Sequence, residues 1–376
     1  MKVFRSEDRR LALGSAVAVA MSLGVATPGM AQSVVERANR GVVEIIASGI
    51  GSTRTVMAED LADVVDDGAT RRVVPVIGKG SLQDIVDLKS LRGIDLAIVQ
   101  SDALELVKAQ RLLPGVENAV SYIAKLSSEE FHLLARADIK TVTDLAGKRV
   151  NFGAPTEGTA LTAPRLFELL GVKIEATNYN QALALEKLKS GEIAAMAYVV
   201  GKPAPFFAEL GGQNGLHLVG LPLRAEITAA YLPARISAED YPGLLPAHTG
   251  VDTVAVGSVL IAANLAPDSE RYRNVANFVE VFFTQFSRLL ESPHHPKWNE
   301  VNLAAELPHW RRFPAAESWI KRNGGTPVAL NDEQMRDIFA KFLDERSRAS
   351  GATALSSEQK SQLFDQFRRW QGEHLR

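Results

Sequence analysis

The chain of 376 residues has no cysteine. That excludes disulfide staples, thiol nucleophiles and Cys-ligated zinc or iron–sulfur centres. Without staples the fold must be stable through its core alone, which a chain of this length supplies. Charge of one sign is lacking too: 42 Lys+Arg stand against 44 Asp+Glu, a net −2. With no Lys/Arg-rich run either, nucleic-acid binding is not the main task. Beyond the N-terminal stretch no segment is long and apolar enough for a membrane span, since Val254 to Ala263 has only the length of a buried strand.

The motifs of several enzyme classes are also missing. Gly153-x-x-x-x-Gly158 has phosphate-loop spacing, but Thr159-Ala160 stands where Lys-Ser/Thr is needed. Gly49-x-Gly51 is followed by Arg54 in place of the third glycine of a dinucleotide fingerprint. There is no Gly-x-Ser-x-Gly and no His-Glu-x-x-His. His294-His295, between Pro293 and Pro296, reads as an exposed turn and not as a metal site. No cofactor, metal or enzymatic reaction is implied.

The sequence does carry an N-terminal secretion pattern. Lys2, Arg5, Arg9 and Arg10 precede an apolar, Ala-rich run from Leu11 to Val25, and Gly29 and Ala31 are the small residues of a cleavage site. The expectation is a signal peptide over 1–31 and a protein released into the periplasm.

Two stretches then follow one plan. Val42 to Ala47 is an apolar β-type run leading into Ser48-Gly49-Ile50-Gly51-Ser52-Thr53 and a helical pattern. Arg149 to Phe152 leads into Gly153-Ala154-Pro155-Thr156-Glu157-Gly158-Thr159 and another helix. Strand, small polar loop and helix N-terminus present free backbone N–H groups to an anion. Strands are predicted at 72–77, 94–99, 119–125, 131–135, 194–200, 216–220 and 253–262, with helices at 82–91, 160–170 and 181–188. Such alternation implies a mainly parallel sheet covered by helices on both faces. The chain is expected to divide into lobe 1 (32–136 and 238–330), lobe 2 (137–237) and a C-terminal helical hairpin (331–376) packed on lobe 1. Asn331 with Gln334 and Ser356 with Gln359 have capping-box spacing at the starts of that hairpin's helices.

Four pieces in register, Val99-Gln100-Ser101-Asp102, Pro155-x-x-Gly158-Thr159, Gly201-x-Pro203-x-Pro205 and Tyr241-Pro242-Gly243, resemble the TAXI-type solute receptors of tripartite ATP-independent periplasmic (TRAP) transporters. The similarity covers roughly Val42 to Ala263. It implies an α/β fold of the type II periplasmic-binding-protein kind, two α/β lobes joined by a hinge, with a C-terminal helical extension. It further implies a receptor that takes a small carboxylate-bearing solute, an amino acid or a dicarboxylate, and delivers it to TRAP-type permease subunits. The first loop departs from the family pattern: Gly51-Ser52-Thr53-Arg54-Thr55 stands where Gly-Gly-Thr-Tyr-Tyr is usual, so an aromatic wall is exchanged for a cation.

The candidate ligand-binding residues are Ser48, Gly51, Ser52, Thr53 and Arg54 of the first loop, Lys79 and Ser81 of the second, and Gln100 and Ser101 at a strand's C-terminal end. Thr156, Gly158 and Thr159 are the mirror donors of lobe 2, with Tyr198 and Lys202 beside them. Asp102 reads as a helix cap; Glu157 is left between a ligand amine and solvent. An importer of the ABC type, a signalling receptor and a periplasmic enzyme using Glu157 and Asp102 are the rival readings.

Overall fold

The structure, a computed structural model, describes residues 41–49, 51–211 and 215–323, with 356, 358–360 and 363–364. The secretion pattern at 1–31 and the capping pair Asn331–Gln334 lie outside these residues. At the second pair both reciprocal bonds are made: Ser356 N–H to Gln359 Oε1 at 2.9 Å and Gln359 N–H to Ser356 Oγ at 3.2 Å.

The first units follow the apolar pattern closely. β1 (Val42–Ser48) leads into α1 (Thr53–Val65), whose N-cap Ser52 accepts the Thr55 N–H. β2 (Arg72–Gly78), α2 (Ser81–Ser90), β3 (Ile94–Gln100) and α3 (Ser101–Ala109) come next. Every residue of β3 is buried, so it reads as an unbroken apolar run and not as an alternation.

The two strands expected at 119–125 and 131–135 are one, β4 (Val120–Arg136). The polar quartet Ser127-Ser128-Glu129-Glu130 looks like a break in the sequence, yet its backbone stays in the ladder. Glu129 pairs with Val256 and Glu130 with Ala255 of β10 (Gly250–Ala263). A charged residue can sit there because each carboxylate has a buried cation: Arg54 for Glu129, Lys297 for Glu130.

Between β4 and β10 lie β5 (Arg149–Asn151), α4 (Gly158–Leu170), β6 (Glu175–Thr177), α5 (Gln181–Ser190), β7 (Ala195–Val200), β8 (Leu216–Leu218) and β9 (Leu232–Ser237). β9 falls in a stretch whose prolines argue against a strand. It bonds to β10 alone, with Pro233 opposite Val254, and an edge strand tolerates the missing N–H. The strands order as β2-β1-β3-β10-β4-β7-β5-β6, with β8 on β4 and β9 on β10. Pairings among β1, β2 and β3 and among β5, β6 and β7 are parallel; those of β10 and β4 with their neighbours are antiparallel.

The core divides where β4 and β10 cross. On one side, β4 up to Leu126 and β10 from Val259 pack with α1, α2, α3 and α6 (Glu270–Thr284), the last through Val275, Phe278, Val279, Phe282 and Phe283 on one face. On the other, β4 from Phe131 and β10 up to Val256 pack with α4, α5 and β7. Two α/β lobes therefore share one pair of long strands. The chain after β10 returns to the first lobe, where the fully buried Trp298 donates its indole N–H to Asp60 at 2.7 Å.

Tyr241 of the Tyr-Pro-Gly motif is fully buried, and its hydroxyl holds lobe 2 together. It accepts the Ala204 N–H at 2.8 Å and donates to His132 Nε2 at 2.8 Å, while His132 Nδ1 meets the Glu130 carbonyl at 2.9 Å. Burial pushes the His132 imidazole down to about 4, so it stays neutral and Nε2 accepts the hydrogen bond from the tyrosine hydroxyl. Two of the four recognition pieces, Gly201-x-Pro203-x-Pro205 and Tyr241-Pro242-Gly243, thus meet at this hydroxyl. Tyr241→Phe strands a buried N–H and a ring nitrogen and should cost about 2–4 kcal/mol, read as a lower urea midpoint at unchanged slope.

Candidate functional site

The loops that end β1, β2 and β3 and the start of α4 face one another across the lobes. Three close approaches define the contact. A Cβ on Gly80 would stand 1.6 Å from the Thr156 carbonyl oxygen, one on Gly158 1.2 Å from Gln100 Oε1, and one on Gly201 2.7 Å from Thr53 Oγ1. Glycine is what lets the backbones come this near. Thr53 Oγ1 donates to the Gly201 carbonyl at 3.0 Å, Thr156 Oγ1 to the Lys79 carbonyl, and Thr162 Oγ1 to Asp102 Oδ2 at 2.6 Å. The lobes are closed on each other.

Arg54 lies at the centre. It is the second residue of α1, only 5% exposed, and its guanidinium pairs with Glu129, itself 1% exposed. It also acts electrostatically on Asp84, Asp102, Glu157 and the Tyr198 hydroxyl. Burial outweighs that attraction at every carboxyl. It pushes Glu129 up to about 7 and raises Asp84, Asp102 and Glu157, and it pushes the Tyr198 phenol up to about 12. The contact between the lobes is therefore acidic and dry.

Several candidate residues meet here, though not all as free donors. Ser48 donates to Asp84, and Asp84 also accepts the Lys79 N–H at 3.2 Å. The second loop thus spends donors on its own carboxylate. Ser52 Oγ donates to the Ser48 carbonyl at 2.6 Å, Ser81 Oγ accepts the Gln100 N–H at 3.1 Å, and Thr159 Oγ1 accepts the Val199 N–H at 2.9 Å. Ser101 is half-buried against Gly257, and Tyr198 directs its hydroxyl toward Gly49.

Others stand apart. Gly51 is exposed with open space around it, the Lys79 side chain is exposed, and Lys202 is held by Asp240 at 2.9 Å. Asp102 does not cap α3 with its side chain; Gln100 occupies the cap position, and Asp102 reaches across to Thr162 of α4. Glu157 faces Gln181, whose amide donates to it at 3.1 Å. His294 bonds Asp63 at 3.1 Å, but His295 is buried and not the exposed turn residue expected, because its ring accepts the Lys297 N–H at 3.1 Å.

The residues missed by sequence reasoning are Asp84, Glu129 and Thr162. Asp84 lies three residues after Ser81, a first-turn acid easily read as a helix-start preference. Glu129 had a plainer signal, a pair of carboxylates inside a β-type run. Among the described residues no group of three or more His, Asp or Glu is arranged to hold a metal, and no helix is long and apolar enough to cross a membrane.

Among the described residues, four buried side chains retain atoms with no hydrogen-bond partner: Arg54 Nε, the Gln100 amide oxygen, Asp102 Oδ1 and Gln181 Oε1. Three of the four belong to the lobe contact. Buried polar groups are normally satisfied, so this concentration makes the lobe contact the candidate site.

Among solved structures, the periplasmic binding protein BugD aligns over 78% of this chain and 97% of its own at 14% identity, with a TM-score of 0.45. The alkanesulfonate-binding protein SsuA from Xanthomonas axonopodis pv. citri, bound to MOPS, covers 81% and 93% at 14% identity and TM-score 0.42. A TctC solute binding protein from Polaromonas covers 66% and 88% at 15% identity and TM-score 0.36. Residues 45–312, more than half of the sequence, match the model of the NMT1-like family, and the chain belongs to that family.

Proposed function

We propose that this protein is an exported receptor that encloses a small solute between its two lobes and hands it to a membrane permease. The observation that carries this reading is the lobe contact itself. Polar side chains from three strand ends of one lobe meet the N-terminus of α4 in the other, and they bury unpaired atoms of Arg54, Gln100 and Asp102. Among the described residues the chain passes between the lobes along β4 and returns along β10, so the lobes can part by small changes along two strands once the side-chain bonds between them are released. Solute binding shifts the open–closed balance, and the closed form is what the permease meets.

The finer reading is a TAXI-type receptor for a carboxylate-bearing solute, working in the periplasm with a TRAP-type permease. The Arg54 guanidinium at the start of α1 supports it, since a planar cation beside a helix N-terminus suits a carboxylate. The protein performs no chemistry in this reading.

Small-angle scattering with a panel of organic acids and amino acids tests it. A true solute should shrink the radius of gyration and raise the melting temperature together. A panel in which stabilising compounds leave the radius unchanged would sink the hinged-receptor reading. Co-purification with permease subunits, strengthened by that solute, tests the TRAP assignment separately.

A further inference from the structure

The carboxylates at the lobe contact outnumber the cations. Asp84, Asp102, Glu129 and Glu157 all feel the field of Arg54, and Arg54 is the one guanidinium or ammonium among these facing groups. Lys79 is exposed, and Lys202 is neutralised by Asp240. Asp84 is satisfied by Ser48 and the Lys79 N–H, and Glu157 by Gln181. Glu129 and Asp102 are the open ones. Glu129 has only the Arg54 guanidinium as an ion-pair partner, and Asp102 Oδ1 has no partner at all.

A cluster of acids does not by itself define a site. Here an independent feature points to a ligand. Gln100 is 0% exposed, lies against Gly158, directs its amide at Glu129, and leaves its amide oxygen with no donor. A buried amide oxygen without a donor, next to a carboxylate, can accept from a donor group of a ligand.

Resting on the receptor reading, we infer that the cleft selects a solute bearing an ammonium or guanidinium group, which replaces Arg54 at Glu129 and donates to the unpartnered Asp102 oxygen. In the closed structure Arg54 fills that place from within the chain. Insertion of such a solute leaves no carboxylate stranded, because Glu129 exchanges one cation for another. Arg54 is then released, and a carboxylate at the solute's other end pairs with it, so that neither buried charge is stranded. A dicarboxylate would instead claim Arg54 and leave Glu129 with no cation, so that Glu129 must hold a proton, and such binding weakens as pH rises through about 7. The solute class is thus one that carries a nitrogen cation, favoured when it also bears a carboxylate, over a dicarboxylate.

Three probes separate the possibilities: agmatine, a cation without a carboxylate; L-arginine, with both; and glutarate, a dicarboxylate. Thermal shift at millimolar concentration and pH 8, with scattering in parallel, should show stabilisation and compaction by L-arginine, a smaller effect of agmatine, and none by glutarate. Glu129→Gln should lower the affinity of the stabilising cation by at least about tenfold, and Glu129→Asp should restore part of it. Asp102→Asn gives a second route should Glu129→Gln fold poorly, with a weaker loss in the same direction. Stabilisation and compaction by glutarate alone would overturn the cation inference and leave the receptor standing. No effect of either cation on the wild type, or cation binding unchanged in both Glu129→Gln and Asp102→Asn, would also overturn it.

Discussion

Gly80→Ala is expected to hold the molecule open. The methyl would lie 1.6 Å from the Thr156 carbonyl oxygen, and that atom is backbone, which no rotamer change can move. Closure in the observed geometry becomes impossible, so the lobes must part or α4 must shift. If the receptor binds by closing, the binding-competent fraction falls and the apparent dissociation constant rises in proportion, by at least about a hundredfold. Scattering should give a radius of gyration above the wild-type value and insensitive to any solute that compacts the wild type. Gly80 also has φ +138, so alanine there carries backbone strain in any state. Gly115→Ala serves as control, since Gly115 has φ +74 with open space where the Cβ would go. It should lose about 1 kcal/mol of stability and neither affinity nor compaction. If Gly80→Ala compacts with solute as the wild type does, the lobes do not work by closing.

That experiment depends on contacts between segments far apart in sequence, and these are where reading the sequence stops. The order and type of the units were legible because local periodicity decides them. β1, β2, β3 and α2 differ from expectation by a residue or so at either end. What failed was every feature that a distant partner decides. β4 looked broken at Ser127 to Glu130 because two adjacent carboxylates in a strand are unfavourable until Arg54 and Lys297 are brought to them, from 75 and 167 residues away. β9 was hidden by Pro233 because nothing local reveals an edge.

The candidate site divides the same way. Ser48, Ser52, Thr53, Arg54, Ser81, Gln100, Gly158 and Thr159 were identified by the strand–loop–helix plan, and all are buried near the lobe contact. Their use was not legible. The plan marks loops that can offer N–H groups to an anion, but it cannot say that Asp84 takes up one of those donors. Nor can it show that Asp102 turns away from its own helix to meet Thr162. Net charge at a site is a property of assembly, and here assembly makes acidic a site whose loops look anion-binding.

That acidity has a measurable cost. Burial pushes Glu129 up to about 7 from its ordinary 4.5, and the charges of Asp102 and Glu130 add to this over the opposing pull of Arg54. Between those two values the folded chain keeps a proton that the unfolded chain has released. The contribution is therefore fully present below about pH 4.5 and is lost as pH rises through 7, a change on the order of 3 kcal/mol. His132 acts in the opposite sense. Its folded value is about 4 against 6.5, so the unfolded chain binds the extra proton and stability rises with pH over that interval. The two slopes offset each other only in part, because the raised values of Asp84, Asp102 and Glu157 act in the same direction as that of Glu129. Glu129→Gln separates them. The variant keeps the size of the side chain, leaves His132 untouched, and cannot ionise. Relative to wild type it should gain steadily in stability from pH 5 to pH 7.5, by roughly 2 kcal/mol in all, read from urea midpoints at each pH. Above pH 7 it should equal or exceed the wild type, because burying the Glu129 charge costs more than its attraction to Arg54 returns. A difference independent of pH would mean that Glu129 is ionised throughout and that its pairing with Arg54 fully offsets the burial.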